Sequence, residues 1–248
     1  KRWFPDVHPQ YRFCLLTLCN GDRSTALCFD VGEIEEILDP MRKYHQSLDD
    51  ILSFCVEDFK LPMFKNAVDA DINKVAYENA ENLGQFLDHE DVISGLLFNF
   101  GEEEKLKKVG RQTANHAEQS FVRVYEGQCV HQFDHRFATA VEESVEHVVS
   151  DLKKEAKYII ATQAFLPRAY VDERIHRMIG YRPSHFVVLR RQARAKDSLI
   201  GISAILPPEA VEGNLTVFVP KAPNPSLSLH VCANFNSFAF NFLLKLRQ

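Results

Sequence analysis

The sequence contains no Gly-x-Gly-x-x-Gly, no Walker-type phosphate loop and no Gly-x-Ser-x-Gly elbow. The fingerprints of dinucleotide binding, nucleoside-triphosphate binding and serine-hydrolase chemistry are therefore missing, and Gly127 and Gly201 stand alone. Its 6 cysteines include no Cys-x-x-Cys pair and mostly sit among apolar neighbours. They read as free thiols of a reducing compartment rather than a disulfide framework or a zinc site. No apolar run is long enough to span a bilayer, and no basic segment precedes an apolar one in the manner of a signal peptide. A cytoplasmic protein without a membrane partner is expected. The chain also lacks an initiator Met, opening on Lys1-Arg-Trp-Phe-Pro and stopping within a helical pattern at Leu244-Lys-Leu-Arg-Gln, which reads as a piece of a longer protein.

What is present is a 248-residue chain, 46% hydrophobic and 25% charged, long enough to bury a substantial core. The net charge of -5 conceals an asymmetry. Residues 30–104 carry 19 acids against 5 bases, whereas residues 153–196 carry 11 bases against 3 acids. The overall balance excludes a general polyanion binder, but the second stretch has the charge of a nucleic-acid footprint.

Residues 11–18 and 25–29 read as two strands around the turn Asn20-Gly-Asp. Residues 33–60 look helical, with Ser47 and Asp50 spaced as a capping box before Ile51 and Leu52. A second helix is expected over 66–83, with Val68, Ile72, Val75, Ala76 and Leu83 on one face and acids on the other. Residues 141–159 carry a helical pattern through Val141, Val145, Val148, Leu152 and Ile159, and 172–179 form a short helix stopped by Gly180. Residues 185–190, 199–206 and 215–219 read as strands divided by Pro207-Pro208, Gly213-Asn214 and Pro220–Pro225, and 227–247 as one apolar helix.

Chemistry concentrates in residues 121–137. Phe121, Tyr125 and Val130 read as strand material, Glu126-Gly127 as a break or bulge, and His131, Asp134, His135 and Arg136 follow closely. Cys129, His131, Asp134 and His135 are possible metal ligands, but in a strand-like context residues four apart lie too far apart to chelate one ion, so no metal site is expected. Asp6, Asp58 and Lys60 are the loose pieces of a Pro-Asp…Asp-x-Lys nuclease core, which would make the chain a stand-alone Mg²⁺ nuclease. An acidic protein-interaction module using Glu102, Glu103 and Glu104 is a third reading. The stronger signal is basic: Arg168, Arg174, Arg177, Arg182, Arg190, Arg191, Arg194 and Lys196 are interleaved with Tyr170, His176, Tyr181 and His185.

Several blocks resemble one family in the right order. Tyr125-Glu-Gly-Gln-Cys-Val-His-Gln-Phe-Asp-His-Arg-Phe-Ala-Thr is similar to the Tyr-Glu-Gly-Lys-Met-Ile-His-Gln-Phe-Asp-His-Arg-Phe-Ala-Thr block of large restriction-modification methylases, the type IIG and phage-exclusion class. Phe4–Leu18, Phe165–Val171, Ile202–Pro207 and Cys232–Phe242 resemble further blocks of the same family. The resemblance implies a target-recognition region, of the TaqI-like specificity kind, from an S-adenosylmethionine-dependent adenine-N6 DNA methyltransferase, with or without a fused nuclease. The family's catalytic Asn-Pro-Pro-Tyr would lie upstream. Asn224-Pro225-Ser226 lacks the second proline and the aromatic that would stack a flipped adenine. The fragment is therefore expected to be non-catalytic and to hold no cofactor, with S-adenosylmethionine bound by the parent. Its partners would be double-stranded DNA and the upstream methyltransferase domain.

The expected fold is α+β: an N-terminal β-hairpin and helical acidic middle, then a mixed β-rich recognition module with a C-terminal helix. The expected domains are 1–120, linking to the absent catalytic part, and 121–248, the recognition module. Arg168, Arg190, Arg191, Arg194 and Lys196 are the expected DNA contacts, and His135 and Arg136 are either contacts or structural.

Overall fold

In the computed structural model, residues 14, 17, 24–54, 61–98, 108–109, 120–141, 144–192 and 198–247 are described. The class is α+β. The chain divides into two compact units, residues 1–82 with 246–248, and residues 83–245.

In the first unit, β1 (Ser24–Leu27) pairs antiparallel with β2 (Tyr44–Ser47), Leu27 lying opposite Tyr44. The helix expected over 33–60 is interrupted: a 3-10 turn at Ile34–Leu38 ends at Asp39-Pro40, β2 follows, and α1 spans Leu48–Phe54. Pro40 cannot donate a helical hydrogen bond and biases Asp39 to the extended conformation it adopts. The capping box forms, the Asp50 N–H donating to Ser47 Oγ at 3.0 Å and the Ser47 N–H to Asp50 Oδ2 at 3.2 Å. Asn66 caps α2 (Ala67–Asn79) by accepting from the Asp69 N–H. The α2 stripe is not a core face: Val68, Ile72 and Val75 are exposed, and Ala70 and Asn73 are buried instead. The core of this unit is aromatic, with Phe64 edge-on to Tyr44 and Phe54.

The second unit holds two four-stranded sheets. After α3 (Leu83–His89) come β3 (Val92–Gly95), β4 (Lys108–Val109), β5 (Phe121–Tyr125), β6 (Ala138–Val141) and β7 (Ser144–His147). A short helix α4 (Ser150–Lys154) precedes β8 (Ala164–Pro167) and α5 (Arg168–Ile179). The chain finishes with β9 (Phe186–Arg190), β10 (Ser203–Leu206), β11 (Ala210–Val211), β12 (Leu215–Pro220), α6 (Pro225–Phe235) and α7 (Phe238–Lys245). The strand orders are β10-β9-β12-β3 and β11-β5-β8-β4, and β6 pairs β7 as a hairpin.

Both faces of the first sheet are covered, which is why its strands read as unbroken apolar runs. Phe186 and Val188 face one core with Val122, Val124, Leu166, Val171 and Ile175. Val187 and Phe218, one residue out of phase, face a second with Val231, Cys232 and Phe235 of α6. Val171, Ile175 and Ile179 form the buried stripe of α5, each contributing about 1.5–3 kcal/mol by leaving water. Gly180 closes α5 in the left-handed conformation, φ 84.

In this unit two helical expectations differ from the structure. Residues 138–141 and 144–147 pair as the β6–β7 hairpin, Ala140 opposite Val145, and among the described residues of 141–159 only Ser150–Lys154 are helical. Valines four apart lie on one side of a strand as well as of a helix, and β-branched side chains favour the strand. The apolar helix of 227–247 is two helices, because Asn236 ends α6 and turns its side chain onto β10.

Candidate functional site

β5 carries Val122, Val124 and Tyr125 into the core and delivers the chain to a tight sequence of turns. Val130, expected as strand, follows instead a 3-10 turn at Gly127–Cys129. Gly127 approaches Asn214 so closely that an added Cβ would lie 3.1 Å from its side chain, and the Gly127 N–H donates to Asn214 Oδ1 at 3.0 Å. Cys129 is buried, and loss of solvation pushes its thiol up to about 11, so it supplies no thiolate nucleophile.

Residues 131–134 then form a closed turn. The His131 N–H donates to the Asp134 carbonyl at 2.8 Å and the Asp134 N–H to the His131 carbonyl at 3.0 Å. Phe133 occupies the third position with φ 58, where a turn usually places glycine. A bulky residue there costs about 1–3 kcal/mol and persists only when its surroundings hold it. They do. The Phe133 N–H donates to the Ser203 carbonyl at 2.9 Å, and Gln132 Nε2 donates to the Asn236 carbonyl at 3.2 Å. The Asp134 carboxylate accepts from the Arg136 N–H at 2.8 Å and from Lys153 Nζ at 2.6 Å. Burial works to raise the Asp134 pKa, but these two donors outweigh it and hold the carboxyl below its ordinary value.

Arg136 fastens the other side. Its guanidinium donates to the carbonyls of Lys153 at 2.8 Å, Glu155 at 3.1 Å and Tyr158 at 3.4 Å. Phe137 stacks on His131 with ring centroids 4.5 Å apart and lies 4.4 Å from His147, and the Lys153 ammonium sits 5.5 Å from its centroid. His131 is held below its usual pKa by burial first and by the charge of Arg190 second, and His135 by burial and then by Arg136. Both imidazoles are neutral near pH 7.

His135 and Arg136 also line a cleft of about 350 Å³ with Arg123, Tyr125, Tyr158 and Glu209. Arg123 and Glu209 form a two-pronged ion pair across it, at 3.0 and 2.8 Å. Thus the cations of the cleft are already engaged by protein groups.

Among the expected DNA contacts, Arg190 ends β9 and acts electrostatically on His131. No hydrogen bond or ion pair engages its guanidinium among the described residues. Arg191 is exposed, its guanidinium donating to the Gly213 carbonyl at 3.1 Å. Arg168 opens α5 and is half-buried, its N–H donating to the Ser120 carbonyl. Arg194 and Lys196 lie outside the described residues, as do Asp6, Asp58, Lys60 and Glu102–Glu104. Among the described residues no group of three or more His, Cys, Asp or Glu side chains is disposed to hold a metal ion, and no helix is long and apolar enough to cross a membrane.

Sequence reasoning missed Phe133, Lys153, Asn236 and Asn241. The asparagines were visible as polar residues in an apolar segment. Asn236 accepts from the Ser203 N–H at 3.0 Å and donates to the Ser203 carbonyl at 2.9 Å. Asn241 accepts from the N–H groups of Ile200 at 2.9 Å and Gly201 at 2.8 Å. Together they hold residues 200–203, whose Ser203 carbonyl in turn holds Phe133. Residues 125–139, 202–207 and 232–242, up to about a hundred positions apart in the chain, therefore meet at one turn. Comparison of the chain with protein-family models, curated proteins and solved structures gave no match.

Proposed function

We propose that this chain reads duplex DNA as the target-recognition region of a cytoplasmic adenine-N6 DNA methyltransferase of the restriction-modification class. Methyl transfer and S-adenosylmethionine binding belong to another part of the parent protein. The observation that carries the reading is the convergence on residues 131–134. Three of the five segments that resemble the family's blocks, 125–139, 202–207 and 232–242, are joined to each other by hydrogen bonds. Residues 200–206 and 232–241 thus act as the frame, and the turn and the end of β9 as the face offered to DNA.

The chemistry of that face is consistent with phosphate and base contact. Arg190 keeps its donors uncommitted among the described residues, and Arg191 is exposed beside it. Arg guanidinium groups engage phosphate oxygens and the O6 and N7 of guanine in forks. Arg168, Arg194 and Lys196 add positive charge in the same third of the chain. Arg136 is different: its donors are spent on three carbonyls, so it builds the site rather than touching DNA.

The test is fluorescence anisotropy with a mixed-sequence duplex across a salt series. Affinity should fall log-linearly with salt, and Arg190→Ala/Arg191→Ala should make the slope shallower by about 2, one for each phosphate no longer neutralised. Arg136→Ala should lower stability and leave the slope of the folded protein unchanged. Absence of binding at low salt, in this chain and in one carrying the upstream catalytic part, would overturn the proposal.

A further inference from the structure

We infer that Phe133 is a wedge, the side chain this protein inserts between stacked base pairs of the bound duplex, with the basic groups around the turn engaging the flanking phosphates. The inference rests on the DNA-recognition reading and adds the residue that deforms the DNA.

Geometry comes first. Phe133 is 66% exposed at the apex of a turn whose backbone is tied at residues 131, 133 and 134 and whose Gln132 side chain is bonded to the Asn236 carbonyl. A glycine would fit the left-handed backbone without strain, yet a phenylalanine stands there, presenting its ring to solvent. A ring held in place by its backbone loses little freedom on insertion, which favours a rigid wedge over a mobile side chain. Phe238, 88% exposed, begins α7 two residues after Asn236, whose carbonyl holds Gln132. Phe133 and Phe238 are the two exposed phenylalanines among the described residues, and they stand on segments bonded to each other.

Charge selects the occupant. Arg190 ends β9 with its guanidinium uncommitted among the described residues, and the Lys153 ammonium sits 5.5 Å from the centre of the Phe137 ring that stacks on His131. The acid of the turn, Asp134, is offset by Lys153 at 2.6 Å. An apolar protein partner would leave the Arg190 guanidinium without a counter-charge. A polyanion with a stack of flat rings matches both features, as minor-groove proteins that insert apolar wedges do.

The experiment uses the whole chain with a mixed-sequence duplex, labelled for anisotropy and, separately, with a donor and acceptor at its ends. Phe133→Ala should weaken binding roughly 10- to 100-fold and abolish the rise in energy transfer that a kink of about 20–90° produces, with the salt slope unchanged. Phe133→Trp should keep binding and show indole quenching when DNA is added. Phe133→Gly removes the ring and the backbone strain together, so it should lose binding while its melting temperature stays the same or rises. Parallel losses of binding and melting temperature in Phe133→Ala and Phe133→Gly would mean a merely structural residue and overturn the wedge. Unchanged DNA affinity and bending in Phe133→Ala would also overturn it and leave the DNA-reading role standing. Failure of the parent chain to bind DNA would remove both.

Discussion

Asn241 offers the sharpest test of how the recognition face is framed. It is 4% exposed, and its amide oxygen satisfies two buried backbone N–H groups, those of Ile200 and Gly201. Its amide nitrogen donates to the Ser237 carbonyl at 3.1 Å and the Gly201 carbonyl at 3.3 Å. Asn241→Ala leaves both N–H groups without an acceptor in a site too closed to admit water freely. Each orphaned group costs about 1–3 kcal/mol, so the substitution should destabilise by about 3 kcal/mol. For a chain of this size that is a fall in melting temperature of about 6–12 °C. Differential scanning calorimetry with urea titration reads it directly. Asn234→Ala is the internal control: Asn234 is exposed and donates only to the His230 carbonyl, so it should move stability by less than about 0.5 kcal/mol. If Asn241→Ala costs no more than Asn234→Ala, residues 200–203 are not held by this side chain, and the frame under Phe133 must be explained differently.

Gly201→Ala should destabilise by about 1–3 kcal/mol, because the new Cβ would lie 2.8 Å from the Phe235 carbonyl oxygen and 3.1 Å from Asn241 and Phe240; an unchanged thermal melt would contradict that packing. Stability should also fall on acidification below pH 6.5. His131 and His135 titrate below their ordinary value of 6.5 in the folded chain, burial being the main cause, with Arg190, His147 and Lys153 facing the first, Arg136 the second, and Asp134 opposing in both. Between the folded and unfolded values the unfolded chain binds more protons, so the contribution is complete above 6.5 and is lost as pH falls through the depressed values. Urea midpoints at pH 7.5 and 5.5 should differ, and His131→Gln with His135→Gln should narrow the gap; equal midpoints in the parent would contradict the assignment.

Much of the second unit was legible because its signals are local or strongly apolar. The stop at Gly180, the runs that became β9, β10 and β12, and the proline- and glycine-rich breaks between them all follow from backbone chemistry. The Ser47–Asp50 box is likewise a four-residue affair. The failures divide in two: some deciding partners lie far away in sequence, and some local patterns fit a strand as well as a helix. Nothing near Asn236 says that its amide will pair with Ser203, so 227–247 read as one helix. Nothing around Val141 and Val145 distinguishes a strand from a helix until Ala138–Val141 finds its hairpin partner. The block 121–137 was conspicuous for its histidines and arginine, yet its exposed element is Phe133, whose left-handed turn carries no glycine to announce it. Cysteine usage was legible in part: Cys129 and Cys232 are buried free thiols, whereas Cys14 is exposed.

The pairing of β5 has a consequence for synthesis on the ribosome. Its Phe121–Arg123 segment meets β8 only once residue 167 exists, and its parallel partner β11 arrives at 210–211. The turn that presents Phe133 waits longer still, for Ser203 and then Asn236. At about 5–20 residues per second, this interval leaves apolar strand surface uncovered for several seconds. Long-range and parallel pairings of this kind fold slowly. A fragment ending before Asn236 would lack the carbonyl that accepts from Gln132 and so fixes the turn beside Phe133.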